Sequence, residues 1–225
     1  MINIEKELLK NIDLKYKNFN SKLIPNINNN KILGVKVPII REISKNIKEE
    51  DAKLFKKQLP HKYHEENMLH AFLISNNQNI DKTLEELDTF LPYIDNWQIT
   101  DALKPKIFKK NKEKVYKKII EWSKSNHTYT VRYAIVTLLT YYLDDNFKEE
   151  YNNLVINIKK EDYYILMAKA WYFSYALIKQ YNKTIKIFEN KILSKELHNK
   201  SIQKAIESYR IDNNKKNYLK SLKIY

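Results

Sequence analysis

The run HTYTVRYAIVTLLTYYL, His127 to Leu143, decides how this chain folds. Val131, Ala134, Ile135, Leu138, Leu139 and Tyr142 recur in it at three- and four-residue steps, the spacing of one helix face. The same period returns at Leu84, Leu87, Phe90 and Leu91, and again at Val115, Ile119 and Trp122. The pattern predicts helices over about 2–19, 37–48, 51–57, 61–76, 80–92, 96–108, 111–124, 128–143, 147–158, 162–180, 183–193, 197–210 and 213–223, with short connections. Pro38 fits the first turn of one of them, where its missing N–H costs nothing. Asp51, Asp81, Asn96, Asn126 or Thr128, Asp162 and Asn199 read as N-caps.

Composition supports the same class. There is 1 glycine in 225 residues, which excludes hairpin-rich β folds, phosphate-cradling glycine loops and dinucleotide fingerprints. Cysteine is absent, so disulfides, thiolate zinc sites and cysteine nucleophiles are excluded as well. The helices pair at a spacing of roughly 30–40 residues, the range of helical repeat arrays. The expected fold is all-α: a curved superhelical stack of antiparallel helix pairs, an α-solenoid, forming a single domain over 1–225. A compact helical bundle is the alternative on this pattern. The most apolar run, Tyr163 to Ile178, is too short to span a membrane and contains Lys169. The N-terminus MINIEKELLKNIDLKYKNF contains acids and lacks an apolar signal segment, so a soluble cytoplasmic protein is expected. Lysine plus arginine number 41 against 27 acidic residues, a formal charge of +14. That charge points to a polyanionic partner, with nucleic acid ahead of an anionic membrane surface.

Some residues do not suit a plain helical stack. From His127 to Leu143, Arg132 is the sole formal charge. It must be paired within the fold or face a solvent-filled groove where phosphate or carboxylate can reach it. Lys169 repeats the pattern in YYILMAKAWYFSYALI, with Trp171 two residues on and therefore on another side of the helix. In IDNWQITD, Trp97 and Asp101 stand at i and i+4, which places an indole and a carboxylate on one helix face below an Asn96 cap. A core tryptophan beside a capping acid is the plainer account of that pair. His61, His64 and His70 do not match a metal-ligating helix pattern. KKNKEKVYKK interleaves aromatic and basic residues, as a solvated face or a phosphate-binding surface would.

Together these segments resemble the DNA alkylation repair family of HEAT-like-repeat DNA glycosylases. GVKVPIIREISKNI looks like the family's early glycine–x–x–x–proline helix, and HEENMLHAFLI is similar to the acidic helix that follows. IDNWQITD matches the tryptophan-before-aspartate motif. TYTVRYAIVTLLTYYLD resembles the arginine-bearing segment, and YYILMAKAWYFSYALIKQY the helix with the second tryptophan. KSIQKAIESYRI looks like a C-terminal segment of one branch. The resemblance runs collinearly over about residues 33–211. This chain departs from it in having Tyr129 and Val131 before the arginine, and no glycine before or arginine soon after Trp171.

The resemblance implies that Trp97, Asp101, Arg132 and Trp171 take the catalytic positions. A purine alkylated at N3 or N7 is cationic and leaves without protonation. Asp101 would then stabilise the oxocarbenium-like sugar, the two indoles would offer negative ring faces, and Arg132 would grip a phosphate. A shallow cleft reading the duplex backbone is implied rather than a deep base pocket, and Tyr133 or Tyr172 is a possible occupant of that cleft. Lys36, Arg41, Lys104, Lys106, Lys169, Lys204 and Arg210 are the expected DNA contacts. The expected partner is alkylated double-stranded DNA, met by a monomer with no metal and no cofactor. The alternatives are a HEAT-like protein that binds DNA and cuts nothing, and a helical scaffold for an acidic protein.

Overall fold

The computed structural model of the chain describes residues 4–225, and every regular element among them is a helix. The chain divides into two compact units between Asn111 and Lys112. The N-terminal unit carries α1 (Ile4–Leu9), α2 (Leu14–Leu23), α3 (Val37–Asn46), α4 (Glu49–Lys56), α5 (His64–Ser75), α6 (Ile80–Phe90) and α7 (Trp97–Ala102). The C-terminal unit carries α8 (Lys112–Trp122), α9 (Thr128–Tyr141), α10 (Glu149–Asn157), α11 (Tyr163–Lys179), α12 (Tyr181–Glu189), α13 (Lys195–Ile206) and α14 (Asn213–Ser221). Among the described residues no helix is long and apolar enough to cross a membrane.

Each unit is organised around one long, mostly apolar helix. In the N-terminal unit α5 packs against α3, α4, α6 and α7, burying Met68, Leu69, Phe72 and Ile74. In the C-terminal unit α11 packs against α9, α12 and α13, and α9 is buried without a break from Tyr129 to Leu139. That unbroken burial explains why α9 tolerates so little charge. Each removal of an unpaired polar group from water would cost on the order of 1–3 kcal/mol.

Helices pair in succession, and the pairing has a period. Side-chain hydrogen bonds between elements recur at 32 residues for Leu33 with Glu65, His64 with Asn96, and Arg132 with Tyr164. They recur at 34 for Thr128 with Asp162 and at 36 for Gln180 with Asp144. Within each unit, one repeat therefore touches the next at equivalent places, as stacked helical repeats do.

Asn96 and Asp162 cap α7 and α11 as expected, accepting from Gln98 N at 3.0 Å and Tyr164 N at 2.7 Å. Elsewhere the caps differ. Asn79 caps α6 in place of Asp81, His127 caps α9, and Ser194 caps α13 in place of Asn199. In α6 and α13 a side-chain acceptor lies upstream of the residue expected and takes the free N–H groups first. Asp51 is no cap either, because α4 starts at Glu49 behind Lys48. The helix expected over 2–19 is two helices. Asp13 accepts from Tyr16 N at 3.0 Å and starts α2 afresh, while Met1 to Asn3 lie outside the described residues. The helix expected over 96–108 stops at Ala102, because Pro105 disfavours helix in Lys104 before it.

Gly34, the chain's lone glycine, is where α2 and α3 need it. Its φ is +92°, and an added Cβ would lie 2.6 Å from Lys17 Cβ and 2.7 Å from the Asp13 carbonyl oxygen. The buried Glu65 carboxylate fastens this loop, accepting the N–H groups of Leu33, Gly34 and Val35 at 2.9, 2.7 and 3.3 Å.

Candidate active site

The short helix α7 presents Trp97 and Asp101 one turn apart. Its start is fixed from α5, where His64 Nδ1 lies 3.2 Å from the Asn96 amide. Thr100 Oγ1 sits 2.8 Å from the Trp97 carbonyl oxygen and 3.1 Å from Asp101 Oδ1, so the hydroxyl proton is shared at the carboxylate's base. Trp97 is half-buried. Its indole packs on the cluster Ile24, Ile27 and Ile32, and its N–H donates to the Leu23 carbonyl at 3.0 Å.

Asp101 lines a pocket of about 160 Å³ together with Arg41, Phe72, Asn76, Lys104 and Lys106. The guanidinium of Arg41 lies over the Phe72 ring, 4.3 Å from its centroid, a cation–π contact that orients the charge without neutralising it. The end of α7 at Ala102 sets the other cations. Lys104 N–H donates to Ser75 Oγ at 3.0 Å, and the turn from Lys106 to Lys110 follows Pro105. Three of the expected DNA contacts thus share a pocket with Asp101. The part played by Phe72 and Ser75 was not visible in the sequence, where both read as ordinary helix residues of α5. A carboxylate in a wall rimmed by cations can face a developing positive charge while the cations hold phosphate oxygens.

The remaining expected residues are placed as follows. Lys36 pairs with Asp13 at 2.8 Å. In the C-terminal unit Arg132 is only 5% exposed and donates to the Tyr164 carbonyl at 2.9 Å, tying α9 to the first turn of α11. Trp171 is half-buried on α11 with its ring edge-on to Tyr175, 6.0 Å between centroids. Lys169 donates to the carbonyls of Ile158 and Ile156 at 3.0 and 3.5 Å, closing the end of α10, and burial lowers its pKa. Lys204 is half-buried in the last turn of α13, and Arg210 is exposed with its guanidinium 5.9 Å from the Tyr209 ring. Tyr133 and Tyr172 are both core residues. The first packs on Trp122 and the second donates to Asn152 Oδ1 at 3.0 Å. A wider groove of about 1010 Å³ lies in the same unit, lined by Lys159, Lys160, Lys169, Lys195, Glu161 and Glu196.

The histidines serve packing. His61 Nε2 and His70 Nδ1 are 2.8 Å apart, with His61 stacked on Phe55 and His70 stacked on Phe90. Burial lowers their pKa values to about 4 and about 2. Among the described residues no group of three or more histidine and carboxylate side chains is arranged to hold a metal ion.

The family model described as DNA alkylation repair enzyme matches residues 4–209. The chain belongs to that family. The match takes in α1 and α2 as well as the segments from Leu33 onward that carry the motifs, and it closes near the end of α13. Membership in that family is consistent with a protein associated with DNA repair. A search of curated proteins finds no match.

Proposed function

We propose that this protein is a DNA N-glycosylase that removes cationic alkylated purines, N3-methyladenine and N7-methylguanine, from duplex DNA. It works as a monomer with neither metal nor cofactor. The observation that carries this reading is Asp101 in one pocket wall with Arg41, Lys104 and Lys106.

In the reaction the C1′–N bond breaks and its electron pair leaves with the purine, which becomes neutral. The deoxyribose is left as an oxocarbenium-like cation. Asp101 stabilises that cation electrostatically and orients the water that adds to C1′, while a proton departs to solvent. Arg41, Lys104 and Lys106 hold flanking phosphates so that the sugar meets the carboxylate. Trp97 offers a ring face to a cationic sugar or base, worth about 0.5–2 kcal/mol, and Trp171 is the aromatic that the C-terminal unit would bring to DNA. Arg132 acts through the junction of α9 with α11, which it braces, in addition to any phosphate it grips.

The second reading is a HEAT-like protein that binds DNA and cuts nothing. One observation favours it: the Trp97 indole is already engaged by Leu23 and three isoleucines. A base-release assay on methylated duplex DNA, with the abasic site as readout, separates the two. The glycosylase reading expects free N7-methylguanine or N3-methyladenine and none of the neutral bases uracil or hypoxanthine, because no general acid serves a neutral leaving group. Duplex binding without any base release would leave the binding reading in its place.

A further inference from the structure

Three buried polar side chains meet behind the helix that carries Asp101: Asn20 on α2, His64 at the start of α5 and Asn96 at the cap of α7. Buried polar groups need partners, and here the partners fix one another's orientation. Asn96 Oδ1 accepts from Gln98 N at 3.0 Å, which is the cap itself. The amide nitrogen of Asn96 is therefore the atom left to face His64. It donates to Asp95 Oδ1 at 2.8 Å and to His64 Nδ1 at 3.2 Å. A ring nitrogen that accepts carries no proton, so His64 is neutral with its proton on Nε2. The Gln98 side chain hydrogen-bonds the ring as well. Gln98 presents its oxygen there, its Nε2 being turned to Asn20 Oδ1 at 2.8 Å.

That tautomer holds α7 in place. The helix has 6 residues, Trp97 to Ala102, so few bonds of its own hold it and the Asn96 cap is a large share of what fixes its first turn. A proton on Nδ1 would set an N–H against the Asn96 N–H. Asn96 must then turn or withdraw, and either movement takes its oxygen from the Gln98 N–H. Trp97 starts that turn and Asp101 follows one turn on. Burial lowers the pKa of His64 and outweighs the Glu65 carboxylate on α5, the Asp95 carboxylate before α7 and the Gln98 contact, all of which favour the charged ring. The ring is thus neutral from its ordinary value of 6.5 upward, and the charged form arises only as pH falls through the lowered folded value.

We infer that His64 is the positioning residue of the candidate site: the neutral ring, protonated on Nε2, locks the Asn96 cap, and protonation on Nδ1 in acid releases α7 and moves Asp101 and Trp97 out of place. The effect on base release rests on the reading of Asp101 as the carboxylate of a glycosylase. The lock itself does not.

The test uses the full chain. Nitrogen NMR of the 5 histidine rings, with His64 assigned by its loss in His64→Asn, reads the tautomer directly. Wild type near neutral pH should show Nδ1 unprotonated and Nε2 protonated. Hydrogen exchange at the Gln98 amide, the group that Asn96 caps, should speed up as His64 titrates, before circular dichroism reports any loss of helix. His64→Asn offers an oxygen near the place of Nδ1 and cannot titrate, so its Gln98 amide should stay protected in acid. Single-turnover base release from methylated duplex, corrected for the enzyme-free rate, should fall along the same titration in wild type. His64→Leu removes the acceptor and should slow release by about tenfold to a hundredfold at every pH. His64→Asn should recover most of that rate and lose the acid fall. A proton on Nδ1 or a charged ring at neutral pH overturns the proposal, as does a Gln98 amide that stays protected through the His64 titration. A ring that stays neutral until the whole chain unfolds, or an acid profile of His64→Asn equal to that of wild type, also overturns it. No base release by wild type, with tautomer and exchange as expected, removes the glycosylase reading alone and leaves the lock.

Discussion

The indole N–H of Trp97 donates to the carbonyl of Leu23 at 3.0 Å, so the helix that carries Asp101 also holds the end of α2. A helix end leaves carbonyls without an intrahelical partner, and Trp97 satisfies one of them. The tryptophan expected to face substrate thus has a structural task on its N–H side.

Trp97→Phe keeps a ring against Ile24, Ile27 and Ile32 but removes the donor. It should cost about 1 kcal/mol of stability, whereas Trp97→Ala should cost on the order of 2–4 kcal/mol. Urea unfolding of the two variants checks the order. Equal losses would mean that the hydrogen bond, and not the packing, fixes the residue.

Gly34→Ala should destabilise strongly. The positive φ alone costs about 1–3 kcal/mol for a residue with a Cβ, and the nearest obstacles at 2.6 and 2.7 Å are a Cβ and a backbone carbonyl, which cannot move aside cheaply. A thermal melt reads the loss directly. A variant as stable as wild type would show that the α2 to α3 loop can adopt another path.

Much of the fold was legible because α9 and α11 state their period over whole helices with almost no charge. Arg132 within α9 demanded a partner or a groove on charge alone, and it has a partner in the Tyr164 carbonyl. The break at Asp13 was hidden, since apolar residues continue at helical spacing on both sides of it. The 32-residue contacts were hidden too. A glutamate on backbone N–H groups, an asparagine beside a histidine and an arginine on a carbonyl share a position and no residue type. At the candidate site, the i, i+4 pair on α7 was readable. The stacking of Arg41 on Phe72 was not, because Phe72 lies in an apolar run that reads as core.

Stability should fall as pH drops below the ordinary histidine value of 6.5. Folded His61 and His70 resist protonation, down to about 4 and about 2, while the unfolded chain takes up protons from 6.5 downward. The unfolded state then binds more protons, so stability rises with pH across this range and is complete above it. Lys56 repels a proton on His70 and works in the same direction. Burial raises the pKa of Glu66, which has the opposite sign, but that carboxyl acts near and above its ordinary 4.5. Urea midpoints at pH 8, 6 and 5 should decline in that order, and His70→Gln should flatten the decline. A flat wild-type profile would contradict the buried, neutral pair.

Arg132→Ala should leave the Tyr164 carbonyl without this donor inside the α9 to α11 packing, a loss on the order of 2–4 kcal/mol with the vacated volume included. Weaker duplex binding and slower base release should accompany it. Hydrogen exchange over 128–141 and 163–179 reads the structural part. Full protection in the variant would assign the arginine to phosphate alone.

The central claim is tested most directly by single-turnover base release from methylated duplex DNA, enzyme in excess, for wild type against Asp101→Asn. The substitution keeps the side chain's shape in the pocket and removes the charge that faces the oxocarbenium ion. Release should slow by about tenfold to a thousandfold, roughly 1.4–4 kcal/mol of barrier, with duplex affinity largely retained. Equal rates for the two proteins would contradict the assignment of Asp101, and no release by wild type bound to methylated duplex would contradict the glycosylase itself.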